Sequence, residues 1–288
     1  MREKQVLPVV VVGLTAALVA VITLWTLDRV EGPESATVSQ GGPVEAIEWK
    51  LVTTWPKGLP GLGAAPENFA RRVNEASGGR LRIKVFGAGE IVPAFEVFDA
   101  VSRGVAEAGH GAAYYWKGKI PASVFYTAVP FGMTAQEANG WLHYGGGLEL
   151  WRELYAPFGV VPFAGGSTGV QMAGWFNIRL NNRADLEGLK MRIPGLAGEV
   201  FDAAGGSAVR IAGGEVYTSM QTGVIDAVEW VGPYNDRTLG LMEVGDYYYY
   251  PGWHEPGAML ETIVNAEALA ALPEDLGPGP SGQYPLVT

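Results

Sequence analysis

With 288 residues, 48% hydrophobic and 17% charged, the chain is long enough for one large or two medium domains with real cores, and its composition is not that of a disordered protein. The 30 acidic residues outnumber the 20 basic ones, a net charge of −10 with no Lys/Arg cluster, which excludes a phosphate-binding face for nucleic acid. Without cysteine there is no thiolate catalysis, disulfide or Cys-ligated zinc, and His110, His143 and His254 lack the H-x-x-x-H spacing of a helical zinc site.

At the N-terminus, Arg2 and Lys4 precede an apolar run from Leu7 to Leu27, and Asp28 and Glu31 follow it. A positive flank before an uncharged run marks export, so the chain beyond residue 28 is expected outside the cytoplasm, in the periplasm. The run is longer than a usual signal core of ~7–15 residues and close to the ~20 that span a bilayer. Residues 1–30 are expected to be a signal peptide, cleaved in preference to being retained as a membrane anchor, and the Gly/Pro-punctuated residues 31–46 a linker.

From Ile47 the pattern alternates. IEWKLVTTW is extended, Pro66 to Ser77 a helix stopped by Gly78-Gly79, and LRIKVF a strand. Pro93 to Arg103 is a helix, Ala106 to Ala112 a strand, Thr134 to Tyr144 and Leu148 to Tyr155 two helices, and VVPF a strand. QMAGWFNI then reads as an apolar strand, ADLEGLK as a short helix, MRI as a strand and GLAGEVFDAAGG as a helix. EVYTSMQTG forms a helix feeding the strand VIDAVEW. This is α/β with mostly parallel pairing. ALPEDL opens a helix that Gly277-Pro278-Gly279-Pro280 breaks, so 277–288 is expected to be irregular, a truncated or altered end.

Gly165-Gly166-Ser167-Thr168-Gly169 matches the G-x-S-x-G string of a hydrolase nucleophile elbow, but a strand follows where the elbow needs a helix. Gly61 and Gly63 start a dinucleotide fingerprint that Pro66 interrupts. Other residues carry more. Arg192 ends a strand before Pro194-Gly195 and a helix, where open α/β sheets place their ligand crevice, so it is either an anion clamp or a surface arginine paired with Glu199 or Asp202. Glu229 and Trp230 end an otherwise apolar strand, and a buried acid there needs a cation, either an arginine or a hard metal ion. Gln171 and Asn177 lie six apart on one expected strand, on the same face.

The strings LVTTWP, GAGEIVPAFEVFDAVSRGVAEAGHGAAYYW, GSTGVQMAGWF, MRIPGLAGEVF, GGEVYTSMQTGVIDAVEWVGPYND and YYYPGWHEPG, spread over Ile47 to Leu276, resemble the periplasmic solute-binding subunits of TRAP (tripartite ATP-independent periplasmic) transporters, in their 2-oxo-acid and 2-hydroxy-acid branch. The resemblance implies a two-domain, periplasmic-binding-protein-like α/β fold with crossing strands and a hinge cleft. Domain I would take 47–143 and 225–250, and domain II 144–224 and 251–276. Arg192 would clamp a substrate carboxylate, Asn177 would hydrogen-bond the substrate, and Tyr114 or Tyr115 would line the cleft. Gln171, Glu229 and the Trp230 carbonyl would hold Na⁺ or Ca²⁺ touching substrate oxygens, inside aromatic walls from Trp175, Trp230 and Tyr234. The partners implied are a small organic acid and the transporter's membrane subunits. The long C-terminal helices through which this branch can form a homodimer have no match in the sequence. Two other functions fit the same residues: a metal-dependent lyase or hydratase with Glu229 as base, and a membrane-tethered sensory module.

Overall fold

The structure, a computed structural model, describes residues 46–277. The expected signal peptide, nearly all of the linker and residues 278–288 lie outside the described residues. Among the described residues, no helix is long and apolar enough to cross a membrane.

Local chemistry places the first elements. Strand β1 (Ile47–Thr53) leads through a turn to helix α1 (Ala64–Ala76), which buries Pro66, Ala70 and Val73 along one face and ends where Gly78 and Gly79 take positive φ. Strand β2 (Leu81–Phe86), helix α2 (Val97–Ser102) and strand β3 (Ala108–Gly111) follow. Helix α3 (Ala135–Tyr144) opens on a capping box between Thr134 and Glu137, and α4 (Gly147–Tyr155) buries Trp151 and Tyr155 against β4 (Val160–Ser167). The second half holds β5 (Gly174–Phe176), β6 (Lys190–Arg192), α5 (Gly195–Ala203), β7 (Ser207–Val209), α6 (Val216–Gln221), β8 (Ala227–Val228), α7 (Pro233–Thr238) and β9 (Tyr247–Tyr249). Strand β10 (Met259–Asn265) and α8 (Ala266–Ala270) close it.

Two five-stranded sheets result, in the orders β2-β1-β3-β10-β4 and β7-β6-β8-β5-β9. Pairing is parallel for β1 with β2 and β3 and for β6 with β7 and β8, whereas β10 and β5 run antiparallel to both their neighbours. Parallel pairing therefore does not dominate as expected, because the chain crosses between sheets twice and each crossing delivers a strand in the opposite sense. The first sheet and its helices form lobe I, roughly 47–167 with 259–277; the second forms lobe II, 174–249. Sheet membership thus divides the chain at other points than the expected boundaries. β4 is assigned to lobe I by its ladder with β10, and β8 and β9 to lobe II by theirs with β5, and such non-local pairings leave no local signature.

The crossings, residues 168–173 outward and 250–258 back, run side by side. Thr168 N–H donates to the Ala258 carbonyl, Gln171 N–H to Glu255 and Ala173 N–H to Tyr249. QMAGWFNI is therefore a strand only over Gly174–Phe176, and its first three residues belong to this inter-lobe ribbon.

Lobe I holds a buried acid at its centre. Glu261, beside the irregularity in β10, accepts from the Trp116 indole and, at 3.0 Å, from the Tyr155 hydroxyl. Trp116 ends the short 3₁₀ turn Ala113–Trp116 that also carries Tyr114 and Tyr115. Next to it, His110 accepts from the Trp55 indole at 2.9 Å, which leaves its other nitrogen to donate to the Gly165 carbonyl at 3.2 Å. Burial lowers the His110 pKa to about 4, so the ring is neutral at neutral pH.

Burial raises the Glu261 carboxyl to about 7, its two donors opposing the shift. The folded chain thus keeps a proton that the unfolded chain has already released, and this group's stabilisation is lost as pH rises from the ordinary glutamate range through 7. Urea unfolding at pH 5 and pH 7.5 should show the wild type losing up to about 3 kcal/mol more over that interval than Glu261→Gln. Equal pH dependence in the two proteins would refute the assignment.

Candidate functional site

The site forms where strand ends of lobe II meet the crossing ribbon and the tyrosine turn of lobe I. Arg192, the last residue of β6, is 1% exposed, and Glu229, just beyond β8, is 0% exposed. Parallel register sets Arg192 beside Val228, which brings the next residue, Glu229, within reach. One guanidinium nitrogen, Nη1, donates to the Glu229 carbonyl at 2.7 Å and to its carboxylate at 3.0 Å; Nη2 donates to the Tyr115 hydroxyl at 3.1 Å, and Nε to the Ile211 carbonyl at 3.3 Å. The Trp230 ring covers the guanidinium, 4.8 Å from centroid to Cζ. Arg192 is therefore paired with neither Glu199, which binds Lys117, nor Asp202, which caps the Ala208 N–H. The buried pair answers the expectation that Glu229 needs a cation, and it leaves one oxygen over.

That oxygen, Glu229 Oε1, is buried without a hydrogen bond, 3.6 Å from Nε2 of buried His254. Gln171, on the ribbon, donates through Nε2 to Glu255 at 2.6 Å and to the Thr168 hydroxyl at 3.0 Å, while its Oε1 is also buried and without a donor. The carboxyl of Glu255 is pushed well above the usual range by burial first and by neighbouring Glu229 second, with Arg192 opposing. Two buried acceptor oxygens without donors and a second buried acid suit a hard cation, which oxygen donors prefer. Among the described residues, no three His, Cys, Asp or Glu side chains converge, so the amide and backbone oxygens have to complete such a set.

A small pocket adjoins this cluster, lined by Arg192, Gln171 and Thr168 and by the apolar Leu62, Val231 and Leu260. Tyr114, Tyr115, Trp55 and Trp230 complete it. Asn177 is not among the residues that line this pocket. It lies past the far end of β5, its N–H bonded to Asp226, because β5 runs antiparallel to β8 and carries Asn177 away from Glu229. Tyr234 is 70% exposed on α7, and Trp175 stacks on Tyr248 with centroids 4.1 Å apart, so of the three expected aromatic walls only Trp230 stands. Glu255, His254 and Trp55 went unassigned in the sequence, although an acid and a histidine within the aromatic, Gly/Pro-rich string YYYPGWHEPG were a visible signal. Further out, Arg210 bridges the lobes, donating to the Tyr115 carbonyl at 2.8 Å and stacking over Phe95, and Asn235 donates to the Pro60 carbonyl at 2.7 Å.

Comparison with known proteins follows this geometry. Residues 51–277 match the bacterial extracellular solute-binding proteins, family 7 (DctP). The chain is 45% identical over 256 residues to the monocarboxylate 2-oxoacid-binding periplasmic protein of Nostoc sp. (strain PCC 7120), covering 89% of this chain and 70% of that one. A TRAP periplasmic solute-binding protein of Pseudoalteromonas atlantica, solved with bound sodium and pyruvate, superposes with a TM-score of 0.79 at 44% identity, over 84% of this chain and 75% of that one. Another from Colwellia psychrerythraea, with bound calcium and pyruvate, gives 0.78 at 44% identity over the same shares.

Removing one member of a buried ion pair strands the other, whereas a surface pair contributes little. Glu229→Ala is expected to lower the unfolding free energy by about 3–5 kcal/mol and Lys117→Ala by less than about 1 kcal/mol, measured by chemical denaturation. Similar small losses in both would show that the Arg192–Glu229 pair is not buried in solution.

Proposed function

This chain belongs to the bacterial extracellular solute-binding proteins of family 7, and we propose that it captures a small 2-oxo or 2-hydroxy monocarboxylate through Arg192 and a bound Na⁺ or Ca²⁺, for uptake by the membrane subunits of a TRAP transporter. Proteins of this family bind solutes for transport and do not transform them. Export ahead of the folded region accords with the extracytoplasmic family, and the signal segment is cleaved in this proposal.

One observation carries the proposal: Gln171 Oε1 and Glu229 Oε1, two buried acceptors without donors, lie in the same cluster as a buried arginine. Gln171, Glu229, the Trp230 carbonyl and Glu255 would hold the cation, which supplies a positive charge for the oxygens of the bound acid. Charge accounting favours a monocarboxylate. Arg192 already neutralises Glu229, so Na⁺ and a carboxylate entering together leave the site balanced, and Ca²⁺ and a carboxylate do so once Glu255 ionises, whereas cation or carboxylate alone leaves a buried net charge. Tyr115 and Trp230 hold the guanidinium plane, and four of its five N–H donors are already taken, which leaves one on Nη2 for the carboxylate of a ligand. The pocket's apolar lining, Leu62, Val231 and Leu260, offers a second acidic group no partner. The relatives in Pseudoalteromonas and Colwellia, solved with bound pyruvate and with bound sodium or calcium, support the same chemistry.

Calorimetric titration with pyruvate tests this. Binding is expected in sodium- or calcium-containing buffer and a strong loss of affinity after chelation in sodium-free buffer. Arg192→Lys keeps the charge but loses the planar fork, and should weaken pyruvate binding at least about 30-fold. Pyruvate followed by NMR in the same sample should stay unchanged for hours. Turnover would instead favour the lyase alternative, and indifference to both cation and Arg192→Lys would overturn the proposal.

A further inference from the structure

Asp236, on α7, is 1% exposed, yet among the described residues no cationic side chain pairs with it. Four donors do. Its Oδ1 accepts the backbone N–H of Val231 at 3.1 Å and of Gly232 at 2.9 Å; its Oδ2 accepts the Trp175 indole at 3.1 Å and the Tyr248 hydroxyl at 2.7 Å. Both oxygens are thus saturated, and the acid ties together three elements of lobe II: β5 through Trp175, β9 through Tyr248 and the turn after β8.

That turn begins with Glu229 and Trp230. The Val231 whose N–H is held by Asp236 also accepts, through its carbonyl, the N–H of Met172 at 2.9 Å, and Met172 follows Gln171. A continuous path of hydrogen bonds therefore runs from the Asp236 carboxylate through Val231 to the backbone next to Gln171. Trp230 sits between Glu229 and the residues Asp236 grips, so the direction of its carbonyl follows from where the two N–H groups are pulled. Packing reinforces the arrangement, since Trp175 and Tyr248 stack within 12° of parallel and present their donors side by side.

We propose that Asp236 is a positioning residue for the cation site, setting the Trp230 carbonyl against the Gln171 amide at coordination distance without itself touching the ion. The proposal rests on the cation-assisted binding proposed above. A cation held by several oxygens at once loses affinity when one of them is no longer held in place, so loosening this turn weakens the ion first and the arginine's hold on the carboxylate much less. Outer-shell partners of this kind typically change metal affinity by about 10–100-fold when removed.

The experiment titrates metal-free protein with calcium chloride, read by tryptophan fluorescence, and then with pyruvate at saturating calcium. Asp236→Asn is expected to weaken calcium about 10–100-fold while pyruvate affinity at saturating calcium returns to within about threefold of wild type. Tyr248→Phe, which removes one donor and leaves the acid, should weaken calcium by a smaller factor in the same sense, and it carries the test if Asp236→Asn does not fold. Asp202→Asn, at an acid that also caps a backbone N–H but lies outside this path, should leave calcium affinity unchanged. Unchanged calcium affinity in a folded Asp236→Asn, or in Tyr248→Phe where the first variant is unfolded, would overturn the proposal. So would pyruvate affinity at saturating calcium falling as far as calcium affinity, the mark of general structural damage. A wild type that binds pyruvate but answers to neither calcium nor sodium would bring down the cation site itself, a result distinct from failure of the variants alone.

Discussion

A guanidinium and a carboxylate, both almost wholly removed from water, face each other where the lobes meet. Neither charge could be buried alone, and the surroundings of Arg192 and Glu229 follow from that cost. Arg192 is met by a carboxylate, two carbonyls, a hydroxyl and an aromatic face, drawn from two strand ends of lobe II and one turn of lobe I. The tyrosine turn is braced in turn by Glu261 through Trp116, and Tyr115 is gripped from lobe II at both its hydroxyl and, by Arg210, its carbonyl. Holding the ion pair and holding the lobes together are in large part the same set of contacts.

The position of the crossing ribbon makes this arrangement useful. Gln171 and Glu255 sit on the two segments that join the lobes, bonded to each other through backbone and side chain. Residues at a hinge feel any change in the angle between the lobes, so a ligand gathered by Arg192, Gln171 and Tyr115, as proposed, would bind best in one lobe arrangement. Differential affinity of that kind is all that is required for a ligand to shift an open–closed equilibrium. A binding protein that must also release its cargo gains from contacts such as Arg210 on Phe95 and Asn235 on Pro60, which link the lobes without lying among the pocket walls.

The division of labour among acids in lobe II and the hinge is also physical. Glu229 is neutralised by an arginine, Asp236 is satisfied by four donors, and Glu255 has the amide of Gln171 beside it and another acid nearby that raises its proton affinity. In the cluster of Glu229, Glu255 and Gln171 acceptor capacity exceeds donors, and a hard cation would meet that excess with oxygen ligands alone.

Much of this was legible in the amino-acid order. Period and punctuation marked helix α1, with its double-glycine stop, and strand β2 nearly to the residue, because those signals are local. Arg192 and Glu229 stood out because an ionisable residue at the end of an apolar strand demands an explanation wherever it is found. Quoted strings spread over the chain were enough to indicate the family, and with it the two-lobed plan. Other features depended on which strands pair across large sequence gaps. The ladder of β10 with β4 assigns residues 160–167 to lobe I, the late start of β5 leaves Gln171 on the crossing ribbon, and the antiparallel run of β5 beside β8 carries Asn177 away from Glu229. That Arg192 meets Glu229 in place of Glu199 or Asp202, and that Glu255 and Asp236 join the site at all, came from the fold. These contacts bring together residues tens of positions apart or on separate elements, and hydrogen-bond register, which no local pattern encodes, sets their distances.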